Sequence, residues 1–127
     1  MKVILDTHAA VWWLLGDEQL TMPARHAIAD AEHVWVSAAS AWEMATKARL
    51  GKWPQAALLA EDLERWMARQ RWTALPIGVH HAIRAGLLPG PHRDPFDRMI
   101  AAQALDLDVR VVSGDAALDA WGIRRIW

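Results

Sequence analysis

Four acidic residues in this 127-residue chain stand where a cation can be held: Asp6, Glu43, Asp97 and Asp115. Asp6 directly follows the apolar run Val3-Ile4-Leu5, and Glu43 lies shortly after Val34-Trp35-Val36. Asp97 falls in the first turn of a helix opened by Asp94-Pro95, and Asp115 follows the run Val109 to Val112. If those runs are strands of one parallel sheet, all four acids point to the same rim. Unneutralised carboxylates so placed repel one another, by about 4 kcal/mol per pair at about 4 Å and an effective dielectric of about 20. Such a cluster calls for a cation. The chain has no cysteine, so a metal must be held by oxygen or imidazole, and the hard oxygens of these acids suit Mg²⁺ or Mn²⁺. A cation held this way binds a phosphate oxygen and activates water, which is the chemistry of phosphodiester hydrolysis.

Each acid also has a purely structural use. Asp6 fits a helix N-cap, and Ser40-Ala41-Trp42-Glu43 fits the S-x-x-E capping box. Asp94 before Pro95 fits an N-cap with proline at the first helical position, so Asp94 is left out of the ligand set. Asp115 fits a cap for a short helix after it. Taken singly, each acid favours capping; the coincidence of four at one rim favours the cation.

The elements that must position these acids alternate. Strands are expected at Val3–Leu5, Val34–Val36, Trp72–Leu75, Val109–Val112 and Ile123–Trp127. Helices are expected from Ala9 to Leu15, from Thr21-Met22-Pro23 to Asp30, and from Ala39 to Leu50. One longer helix opens at Pro54 and carries Leu59, Leu63, Trp66 and Met67 at helical spacing. Val79–Leu87 forms a short helix, the Asp94-Pro95 helix runs to about Leu105, and a short helix follows Ser113-Gly114-Asp115. Alternation of this kind implies an α/β domain spanning 1–127, with parallel strands and crossover helices on both faces. Ligands of such sheets bind outside the carboxyl ends of the strands.

Composition sets outer limits. Apolar residues make up 54% of the chain and charged residues 23%, a globular mixture. The net charge of −1 supplies no global attraction to nucleic acid. Met1–Asp6 is too short an apolar run for a signal peptide and no stretch approaches a membrane span, so a cytoplasmic protein is expected. Nine tryptophans and no tyrosine are present. Most are expected as large core residues, with several facing a partner.

Four segments, in order along the chain, resemble the motifs of PIN domains, especially the VapC toxins of bacterial toxin–antitoxin pairs. Ile4-Leu5-Asp6-Thr7-His8-Ala9 looks like their opening signature. Ser37 to Ala45 followed by Lys47 to Lys52 is similar to the second motif, His92 to Gln103 to the third, and Val111-Val112-Ser113-Gly114-Asp115 to the fourth. The family often has Thr and a bulkier residue where this chain has Ser113-Gly114; the serine keeps the hydroxyl, and the glycine is expected to loosen the aim of Asp115.

The resemblance implies a PIN-like three-layer α/β/α sandwich on a mostly parallel sheet of four to five strands. It implies that Asp6, Glu43 and Asp97 are the core ligands of Mg²⁺ or Mn²⁺, with Asp115 completing the quartet, and that the activity is endoribonucleolytic. It further implies inhibition of translation, a small VapB-like antitoxin, and homodimers or toxin–antitoxin hetero-oligomers. Thr7 and Ser113 are expected to hydrogen-bond metal-held water or the acids, or to be turn hydroxyls. Arg93 and Arg98 beside the third motif, and Lys47, Arg49 and Lys52 after the second, suit RNA phosphates or a solvated face equally. His8 and His92 read as packing or surface residues.

Other classes fit less well. A haloacid-type phosphatase needs a second Asp two residues after the first, where this chain has His8. A receiver needs a Lys after the last strand, where it reads Arg124-Arg125-Ile126-Trp127. A degenerate binding module has no reason to keep four mutually repelling acids. A PIN nuclease of RNA processing without a toxin role shares all the chemistry and stays open.

Overall fold

The computed structural model describes residues 1–127. Five short strands form its centre: β1 (Lys2–Leu5), β2 (His33–Ser37), β3 (Thr73–Leu75), β4 (Arg110–Val112) and β5 (Arg125–Ile126). Their order is β3-β2-β1-β4-β5, and all four neighbouring pairs are parallel. The expected mostly parallel sheet is therefore wholly parallel. Side chains alternate along each strand and divide the core in two. Val3, Leu5, Val34, Val36 and Val112 face one side, and Ile4 and Val111 face the other.

The first side is covered by α1 (Thr7–Leu15), α2 (Met22–Asp30), α4 (Pro54–Ala60) and α5 (Leu63–Gln70), together with Met44 of α3 (Ala38–Arg49). The second is covered by α7 (Pro95–Leu107), through Ile100, Ala101 and Ala104, and by a 3₁₀ helix over Ala116–Trp121. The remaining helix, α6 (Val79–Leu87), packs on α7. This is the three-layer sandwich expected from the alternation of strands and helices.

Two helix boundaries depart from the sequence reading. The helix opened by Pro54 is broken at Glu61–Asp62, where Asp62 adopts φ −117° and ψ 25°. Asp is a poor helix-interior residue because its side chain competes for nearby backbone groups. The break still lets Leu59, Leu63 and Met67 share one core. The other departure concerns α3, whose N-cap is Ser37, its hydroxyl accepting from the Ala39 amide at 3.0 Å. Ser40 is thus already inside the helix and fully buried, so the Ser40–Glu43 capping box does not form.

Chain order reverses between β1 and β4. The connection from β3 through α6 and α7 passes over β2 and β1 to reach the far side. Crossovers on either side of such a point diverge and leave a crevice beyond the strand ends. Asp6 follows β1 at that point, its amide donating to the Val112 carbonyl at 3.1 Å, and Ser113–Asp115 follows β4.

Candidate metal centre

The crevice is a cleft of about 690 Å³, and Asp6, Glu43, Asp97 and Asp115 all line it. Each acid arrives there by ordinary local structure. Asp6 is the N-cap of α1, and its Oδ1 accepts from the Ala9 amide at 2.8 Å. Asp115 caps the 3₁₀ helix, and its Oδ1 accepts from the Ala117 amide at 2.9 Å. Capping and clustering are therefore not alternatives. One oxygen of each carboxylate meets a backbone amide, and the group still fronts the cleft. Glu43 is buried inside α3 and pairs with Lys47 one turn on, Nζ to Oε2 at 2.5 Å. Asp97 sits in the first turn of α7.

Two of the acids, Asp6 and Asp97, depart from the behaviour of surface carboxylates. Burial pushes the Asp6 carboxyl up from its ordinary value, and the nearby charge of Glu43 adds to this. Hydrogen bonding to Ser113 and Ala9 works against it without prevailing. Asp97 is pushed up to about 7. Burial is the main cause, His92 opposes it, and the charges of Asp94 and Asp115 reinforce it. The charge of Asp115 bears on Asp97, and the only lysine or arginine lining the cleft, Lys47, is paired with Glu43.

The other residues singled out by sequence divide sharply. Asp94 is the N-cap of α7, its Oδ1 accepting from the amides of Phe96 and Asp97 at 2.8 and 3.2 Å. Thr7 is buried at the cleft floor, where its hydroxyl donates to Ser40 Oγ at 3.0 Å. Ser113 is fully buried, and its Oγ accepts from the Asp115 amide at 3.0 Å. It thus aims acids rather than facing a substrate. Arg93 is exposed just before α7. Arg49 and Lys52 lie beyond the cleft lining.

Arg98 is not a free phosphate contact. Its guanidinium donates to the carbonyls of Ala85 at 2.9 Å and His92 at 2.7 Å, and to those of Gly86 and Leu88. It also lies over the Trp121 ring, 5.3 Å from the centroid. These bonds clamp the end of α6 and the following loop, which is a scaffold role that no linear spacing announces.

Two features were missed. His92 is part-exposed and lies near Trp121, and beyond that its Nε2 lies 3.0 Å from Asp97 Oδ2. The signal was its place five residues before Asp97, too far for a helical pairing and bridged only by the loop. Gly114 has a steric use at the cleft wall. A Cβ there would come within 2.8 Å of the Trp127 indole, so the glycine makes room for the ring that walls the cleft. Trp12 forms the adjoining wall, 5.8 Å from Trp127, and His8 stacks on Trp53 at 4.4 Å. Most tryptophans are indeed packed, and Trp42 alone is more than half exposed, at 57%.

The family described as the PIN domain matches residues 3–122. The chain is 30% identical over 119 residues to Ribonuclease VapC22 of Mycobacterium tuberculosis, an alignment covering 91% of this chain and 88% of that one. Its fold is similar to the structure of VapBC2 from Rickettsia felis bound to a DNA fragment from their promoter, with a TM-score of 0.71, 13% identity and full coverage of both chains. It is also similar to FitAcB from Neisseria gonorrhoeae, with a TM-score of 0.67, 20% identity, and coverage of 97% and 95%.

Proposed function

This chain belongs to the PIN domain family, and on that premise we propose that it is a metal-dependent endoribonuclease, the toxin of a type II toxin–antitoxin pair that inhibits translation. The observation that carries the reading is the meeting of Asp6, Glu43, Asp97 and Asp115 in one cleft with a single lysine among them. The donor set fits a hard divalent cation: four carboxylates, no thiol, and an acid raised to about 7 by burial and its neighbours. Asp6, Glu43 and Asp97 would hold Mg²⁺ or Mn²⁺, with Asp115 beside them. When bound, the cation offsets their charge, polarises a phosphodiester and makes water a better nucleophile at neutral pH.

The remaining groups prepare the site. Lys47 restrains Glu43, and Thr7 and Ser40 fill the floor between α1 and α3. Ser113 orients the turn that presents Asp115. Arg93 is exposed beside the cleft-lining Asp94, which supports a contact with an RNA phosphate at the cleft's edge. Trp12 and Trp127 line the cleft beside the acids and offer rings on which unpaired bases can stack, which supports unpaired RNA as substrate.

The name of the Mycobacterium tuberculosis relative supports RNA as substrate. The VapBC and FitAB structures support an antitoxin partner. An unpartnered apolar strip on α6, with Val79, Ile83 and Leu87 exposed one turn apart, supports a protein partner or a second copy. No helix is long and apolar enough to cross a membrane, and we place the activity in the cytoplasm with its RNA.

The test is cleavage of a structured RNA pool by wild type and by Asp97→Asn, with Mg²⁺ or Mn²⁺ and with chelator. Removing a ligand charge that is worth several kcal/mol in the transition state should lower turnover about a thousandfold. Chelator should abolish cleavage by wild type. Equal cleavage by the two proteins would end the catalytic assignment.

A further inference from the structure

We propose that His92 is a direct ligand of the cation, joining Asp97 and Asp115 and biasing the cleft toward Mn²⁺ over Mg²⁺. This rests on the reading that the cleft holds a divalent cation. One ligand atom from each of His92, Asp97 and Asp115 lies within 4.8 Å of the others. Ligands bound at about 2.0–2.2 Å stand no more than about 4.4 Å apart, so small side-chain adjustments bring all three into one coordination sphere.

The imidazole is also held in place. Its backbone carbonyl accepts from Arg98 Nη1 at 2.7 Å, and its ring lies 5.4 Å from that of Trp121. Trp121 is in turn fixed by its indole N–H, which donates to the Pro89 carbonyl at 2.7 Å. The loop 88–92 is thus ordered before any ligand arrives, which removes much of the entropy cost of recruiting a loop residue.

The free nitrogen decides the matter. A ligating imidazole presents a lone pair from one nitrogen and carries its proton on the other. His92 Nε2 points at Asp97, while Nδ1 has no protein partner on a side chain that is 31% exposed. The proton can therefore reside on Nδ1 and leave Nε2 free. The same choice is denied to His81, whose Nδ1 accepts from the Gly78 amide at 3.0 Å.

Imidazole is a softer donor than carboxylate and suits transition metals, whereas Mg²⁺ prefers an all-oxygen shell with water. A mixed N,O,O set therefore favours Mn²⁺. The experiment is pulsed EPR on the full chain loaded with Mn²⁺, together with calorimetric titration by Mn²⁺ and by Mg²⁺. Wild type should show ¹⁴N coupling from one imidazole. His92→Ala should lose it and bind Mn²⁺ roughly tenfold more weakly or worse, with a much smaller change for Mg²⁺. His8→Ala, which removes the other imidazole lining the cleft, should keep the coupling.

Mn²⁺ bound without nitrogen coupling, or coupling lost in His8→Ala and kept in His92→Ala, would overturn the assignment and leave the carboxylate site intact. No Mn²⁺ binding by wild type would overturn the cation reading itself. Wild-type coupling reports a nitrogen ligand without any variant, and the contrast between His92→Ala and His8→Ala, each still binding Mn²⁺, assigns it to His92.

Discussion

Two places in this molecule bring histidine nitrogens and carboxylate oxygens within 4.8 Å: His92, Asp97 and Asp115 in the cleft, and His80, His81 and Asp106 between α6 and α7. The central contacts are nearly the same length, 3.0 Å from His92 to Asp97 and 3.1 Å from His81 to Asp106. Yet the two carboxyls move in opposite directions. His81, and then His80, hold Asp106 below the ordinary carboxylate value. Asp97 is held well above it, because burial and two further acids outweigh what one imidazole returns.

The nitrogens differ as well. With the Gly78 amide donating to Nδ1, His81 keeps its proton on Nε2 and spends it on Asp106, tying α6 to α7. Proximity alone therefore does not make a metal site. What matters is whether the cluster is short of positive charge and whether a lone pair is left to give. The cleft meets both conditions; in the α6–α7 cluster Asp106 is already held low by two imidazoles, and the buried His81 has no lone pair left to give.

Asp97→Asn should sharpen this contrast most. A folded-state value of about 7 means that the metal-free protein keeps a proton on Asp97 where the unfolded chain has lost it. That contribution to stability is present at low pH and disappears as pH rises from the ordinary carboxylate range through about 7. In EDTA, wild type should therefore lose ground to Asp97→Asn between pH 5 and pH 8 in thermal melts. The proton also competes with the cation, so Mn²⁺ affinity of wild type should climb up to about tenfold per pH unit below 7 and level off above it. A flat affinity profile would show that Asp97 is not the protonated group.

Arg98→Ala comes next. Loss of its carbonyl bonds should cost about 1–3 kcal/mol of stability and weaken Mn²⁺ binding about tenfold by releasing the loop that carries His92. Arg98→Lys should recover little, because one ammonium cannot span carbonyls on both α6 and the loop. Unchanged metal affinity in Arg98→Ala would separate the clamp from the centre.

The smallest effect should come from Asp106→Asn. It should lower the melting temperature slightly and leave Mn²⁺ affinity and RNA cleavage as in wild type. A loss of metal binding there would erase the distinction between the two clusters.

Much of this was legible in the residue order. The alternation of Val3–Leu5, Val34–Val36 and Val109–Val112 with amphipathic helices specified the layered parallel sheet. Placing an acid after β1, after β4, inside α3 and at the start of α7 specified a shared rim. The capping signals at Asp6, Asp94 and Asp115 were read correctly too, but as rivals of the cation. A carboxylate has two oxygens, and sequence does not say how they are shared. The break at Glu61–Asp62 and the cap at Ser37 were not legible, because the apolar spacing across both is compatible with an unbroken or shifted helix.

Local patterning by itself determined the strands, the helices and the identity of the four acids, since propensity, periodicity and capping act over a few residues. Only the tertiary structure decided that Arg98 serves backbone carbonyls, that Gly114 yields to Trp127, and that His92 turns toward Asp97. Those outcomes depend on loops closing over one another and on which donor reaches which acceptor first. They are competitions between groups far apart in the chain, and no local pattern records the winner.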